Sequence, residues 1–174
     1  MDIKAINTYL HWGKGILPFL LILLSCSSRP SAWQTDRIVT SDSKYDSSKL
    51  TFHAKDRING IDLEILKTEK TSHLYLIVHS APVPPYKKDP KSALVTFFKE
   101  GNKEIFIAHR HEGGQRLRVP DALFEKIINA LEQKESLVIT LEGYSTEVNA
   151  TEFPKFYKEI QSNPLFTNPF HLPF

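Results

Sequence analysis

The chain has 174 residues, 41% of them hydrophobic and 24% charged, with a formal charge of +2 and a single cysteine. Lys, Arg, Asp and Glu are evenly mixed, so the basic block or stripe that marks a nucleic-acid binder is missing, and nucleic acid is excluded as an expected partner. One thiol excludes an intramolecular disulfide, so a core and hydrogen bonds must hold the fold, and the length suits a single domain.

The first element is an apolar run over residues 16–24, preceded by Lys4 and Lys14 and followed by Ser25 and Cys26. A basic start, a short apolar stretch and a small residue are the parts of a secretory signal, predicted over residues 1–25. The run is shorter than the about 20 residues needed to span a bilayer. Because the small residue is followed at once by a thiol, the segment resembles the lipobox of bacterial lipoprotein precursors, matched by Leu23, Ser25 and Cys26. The resemblance implies cleavage between Ser25 and Cys26, a diacylglycerol on the cysteine sulfur and an acyl chain such as palmitate on its amino group. A lipid bilayer is then a partner. Ser27 stands where such proteins carry the aspartate that retains them in the inner membrane, which implies the outer membrane. Two or more chains, at about 0.8 kcal/mol per buried methylene, anchor a protein stably.

Residues 26–49 are rich in serine and poor in apolar periodicity, and are predicted to be a tether, with Trp33, Ile38 and Val39 available to dock on a domain. Order is predicted from Leu50, in one domain over residues 50–162. Ile61, Leu63 and Ile65 alternate with polar residues as in a half-buried strand. Residues 74–78 are apolar on both faces and read as a central strand, followed by a proline-rich excursion over residues 82–90. Residues 93–98 and 104–109 read as a hairpin around a loop in which Gly101 and Asn102 take positive φ. A short strand follows at residues 116–119.

Pro120, Asp121 and the apolar set Leu123, Phe124, Ile127, Ile128 and Leu131 predict an amphipathic helix lying on the sheet. Residues 137–141 read as a buried strand, with Gly143 as a bend or bulge and Ser145 as a turn residue. A short helix with Thr151 as its cap and Pro154 in its first turn follows, and residues 163–174 form a tail rich in Pro and Phe. Together these elements predict an α+β fold, a mainly antiparallel sheet packed by one amphipathic helix and a short C-terminal one. A β-sandwich with helical decoration is the alternative.

His109, His111 and Glu112 form the one concentrated group of chemical side chains. Along a strand, residues two apart share a face, so the two imidazoles can present nitrogens to one divalent metal. The segment is similar to the first motif of cupins, with two histidines at this spacing and a glutamate, although Glu112 directly adjoins His111 and no second motif follows. A third ligand is needed, for which His53, His73 and His79 are candidates. The plainer reading puts both histidines at the rim of the sheet, with Gly113 and Gly114 turning into the next strand, and no cofactor. Gly143, Tyr144 and Ser145 lack the second glycine of a nucleophile elbow. The expected function is therefore an envelope lipoprotein whose domain serves binding or assembly with an unidentified partner. A metal-dependent enzyme using His109 and His111, and a surface lipoprotein contacting host material through its tail, are the alternatives.

Overall fold

A computed structural model describes residues 31–42 and 45–162. The expected signal segment, Ser25, Cys26 and the tail over residues 163–174 lie outside the described residues. The strands are β1 (Trp33–Ile38), β2 (Ser47–Phe52), β3 (Asp62–Thr68), β4 (Ser72–Ile77), β5 (Ser92–Lys99), β6 (Asn102–Arg110), β7 (Arg116–Arg118), β8 (Leu137–Leu141) and β9 (Tyr144–Val148). Among the described residues they form one sheet of nine strands in the order β1-β2-β3-β4-β7-β6-β5-β8-β9, each neighbour antiparallel. Helix α1 (Asp121–Glu132) carries the chain from β7 to β8, and α2 (Phe153–Gln161) follows β9. The fold is α+β and dominated by the sheet, as the sequence predicts.

Strand alternation divides the sheet into a packed face and an open one. Leu50, Phe52, Leu63, Ile65, Leu74, Leu76, Leu117, Ala93, Val95, Phe97 and Ile139 are buried on one side. There α1 packs on β4 and β8, and α2 packs on β1, β2 and α1. Helix α1 buries Leu123, Ile127, Ile128, Ala130 and Leu131. Phe124 is only half-buried at the margin, so the helix is rotated slightly from the face expected, toward the side that carries Ala130.

The tether expected over residues 26–49 is corrected, because β1 and the start of β2 lie within it. Trp33 is the cause. Its indole is buried, packs on Phe52 at 5.1 Å and Phe153 at 4.9 Å, and donates Nε1–H to the Asn149 carbonyl at 2.9 Å. One large aromatic side chain thus helps offset the ordering entropy of an otherwise mostly polar strand. Ile38 and Val39, by contrast, remain exposed.

Turn chemistry gives two further differences. The β5–β6 loop is Glu100-Gly101, with φ of 49° and 80°, so Glu100 takes the left-handed position expected of Asn102. Of the bend or bulge expected at Gly143 the chain makes the bend: with φ 81° it closes a hairpin in which Leu141 pairs with Tyr144, and Ser145 lies in β9 opposite Thr140 instead of in the turn. Thr151 does not cap α2. Asn149 Oδ1 accepts from its N–H at 2.8 Å and its hydroxyl at 2.5 Å, and the helix starts after Glu152 without a side-chain cap.

Candidate binding face

Among the described residues both helices lie on one side, which leaves the other face of the central strands open. On β6 the alternation sends Ile105, Ile107 and His109 to that face in a row, with residues two apart separated by about 7 Å. Leu94 of β5 sits opposite Ile107, and Arg118 of β7 sits opposite His109. Leu94, Ile105 and Ile107 are 41%, 59% and 54% exposed, large aliphatic side chains left bare by the fold.

His109 and His111 do share this face, their rings edge to face at 5.6 Å. The chain then turns at Gly113 and Gly114, where the Gly114 N–H donates to the His111 carbonyl at 3.0 Å and His111 N–H donates to the Arg116 carbonyl at 2.9 Å. This is the rim and turn of the plainer sequence reading. Gly114 has φ +67°, and a Cβ there would meet Arg110 Nη2 at 2.2 Å, so the bare glycine lets the guanidinium lie against the turn. Arg110 Nη1 donates to the Pro90 carbonyl at 3.1 Å. The result is a recess of about 660 Å³ with Lys91, His109, Arg110, His111 and Glu112 in its lining.

The electrostatics of this corner are cationic. Burial is the first cause that lowers the pKa of His111, followed by the nearby Arg116, His109 and Arg118, all of which disfavour another positive charge. His73 is lowered likewise, by burial and then Arg118, with Asp121 acting in the opposite sense. Arg116 is engaged, bonded to Glu64 at 2.5 Å and stacked over the Tyr75 ring at 3.9 Å. Tyr75 in turn contacts His111, ring centroids 5.5 Å apart. Arg118 has no ion-pair partner among the described residues. A second recess, about 360 Å³, places Arg118 with Ile107, His109 and Asp121.

A cleft lies on the other side of Leu94. The excursion over residues 82–90 folds back on the sheet: Val83 is buried, its N–H donates to Gly114 O at 2.9 Å, and Tyr86 N–H donates to Ser92 O at 2.7 Å. Tyr144 holds the start of this segment, accepting from Ala81 N–H at 2.8 Å and donating to its carbonyl at 2.6 Å. Pro84, Pro85 and Tyr86 then wall a cleft of about 550 Å³ whose floor includes Leu94, Thr96 and Thr140.

The further histidines do not join His109 and His111 as a metal set. His53 Nδ1 and His79 Nε2 instead meet the buried Asp62 Oδ2, at 2.9 and 3.1 Å, while Ala54 N–H donates to Asp62 Oδ1 at 2.9 Å. Among the described residues no three His, Cys, Asp or Glu side chains are grouped to hold a metal ion. Sequence reasoning missed Asp62, Tyr75 and Arg118. Only the placement of Asp62 between two chain-distant histidines marks it, whereas Arg118, two residues from Arg116 in a short strand, carried a legible hint.

Comparisons with protein-family models, with curated proteins and with solved structures find no match.

Proposed function

We propose that this chain is a lipoprotein of the bacterial envelope, anchored by an acylated Cys26, whose α+β domain is a binding module and not a catalyst. The observation that carries the binding role is the open sheet face, where Leu94, Ile105 and Ile107 stand bare beside His109, His111 and Arg118. Contiguous exposed apolar side chains rimmed by polar ones mark interaction sites on soluble domains. The anchor is supported by the order of basic start, apolar run, Ser25 and Cys26. Ser27 supports the outer membrane as its destination.

Mass spectrometry of the membrane-extracted protein tests the anchor. The expected product begins at Cys26 and carries diacylglycerol and an N-acyl chain, and Cys26→Ala releases a folded domain from the membrane fraction. An exported protein with intact Met1, or with an unmodified thiol at Cys26, would refute it.

A further inference from the structure

The three hollows follow one another along β5 and β6. Leu94 lines the cleft under the proline segment; its cross-strand partner Ile107 lines the second recess; and His109 belongs to both the second recess and the first. Along β6 the row therefore passes from aliphatic at Ile105 and Ile107 to basic at His109 and His111 within about 20 Å. An apolar floor that ends in the Arg118 guanidinium and the His109 ring matches a ligand of the same polarity. We propose that this face binds an acidic amphiphile: one apolar chain lying in the cleft and across Leu94 and Ile107, ending in a carboxylate or phosphate held between His109 and Arg118. The proposal rests on the reading of the domain as a binding module and does not depend on the lipid anchor.

Each part of the site selects one part of the ligand. At about 550 Å³ the cleft is within the range of roughly 300–1,000 Å³ typical of small-molecule sites, which suits a single chain. Arg118 has no ion pair among the described residues and shares its recess with His109, so an acid placed there receives charge-assisted hydrogen bonds without breaking existing ones. Arg116 is held by Glu64 and Tyr75 and contributes field rather than a contact. The cleft walled by Pro84, Pro85 and Tyr86 takes one chain, so the occupant is a single amphiphile.

The test uses the full chain in zwitterionic nanodiscs and a photoreactive diazirine analogue of decanoate. Saturable labelling of peptides containing Leu94 or Ile107 is expected, suppressed by free decanoate or decyl phosphate and untouched by acetate. Whichever acid competes better identifies the head group. Arg118→Gln and, independently, His109→Gln should each reduce labelling at least fivefold with an unchanged melting curve, as should Leu94→Asp. Equal labelling by the decanol analogue, insensitivity to the His109 and Arg118 substitutions, or binding to phosphatidylglycerol vesicles that decanoate does not displace would overturn the proposal. The N-terminal mass of the same preparation reports whether Cys26 is acylated. Absent labelling of an acylated protein thus refutes the amphiphile alone.

Discussion

Asp62 is a carboxylate taken almost wholly out of water at the end of β3, and it stays charged because its acceptors are used. Burial pushes its pKa up, but the Ala54 N–H and the His53 and His79 rings outweigh that and hold it below the ordinary value of 3.8. A pKa lowered by folding means that the unfolded chain binds the proton more readily. Its contribution is therefore complete above the unfolded value and is lost as pH falls from about 3.8 through the lower folded value. Asp62→Asn should cost about 1.5–3 kcal/mol at pH 7, the scale of hydrogen bonds to a charged group. It should also flatten the acid limb of stability against pH, measured by urea melts from pH 2.5 to 7. An unchanged limb would mean that another carboxylate governs acid unfolding. None of this was legible in the sequence, where Asp62 is one polar residue in an alternating strand. The two histidines that define its setting are nine and seventeen residues away.

At the level of elements, period and punctuation carry most of the information. The hairpin of β5 and β6, the short β7, the extent of α1 and strand β8 were readable from alternation and helical spacing. Strand β9 is not predicted although Tyr144, Thr146 and Val148 alternate with Ser145 and Glu147, because Gly143 as a bend or bulge does not by itself announce the return strand of a hairpin. Strand β1 escaped because its one large apolar anchor, Trp33, meets partners far along the chain at Phe153 and Asn149. Helix α1 offers the sharpest check on packing. Leu123→Ala or Ile127→Ala should each cost about 2–5 kcal/mol, with Phe124→Ala milder because that ring is half exposed. Glu125→Ala, pointing to solvent, should stay within about 0.5 kcal/mol. Equal urea midpoints for Ile127→Ala and Glu125→Ala would show that α1 does not cover the sheet.

Among the described residues the molecule is a sheet with both helices on one side, and on the proposed reading its two faces divide stability from recognition. Buried aliphatic and aromatic side chains on the helix side supply the core, so thermal stability should not depend on a metal. Melting temperature with and without EDTA is expected to agree within a degree, whereas a chelator-induced fall of several degrees would assign His109 and His111 a structural ion. The open side was legible only in part. The histidine pair and the proline-rich excursion were both singled out from sequence. Their convergence around Leu94 and Arg118 depends on the β5–β6–β7 meander entering the sheet reversed, with β7 rather than β5 beside β4 and β8 beside β5.

The early start of β1 has a consequence for reach. A tether ending near Leu50 would give an acylated Cys26 more than twenty residues of slack. With the sheet beginning at Trp33, the intervening chain spans at most about 25 Å even fully drawn out, at roughly 3.3–3.6 Å per residue. If Cys26 carries the proposed anchor, the domain would be moored at the membrane surface. It would meet only what arrives in, or departs from, the layer of solvent next to its own bilayer, and ferrying cargo to an opposing membrane would require a second carrier.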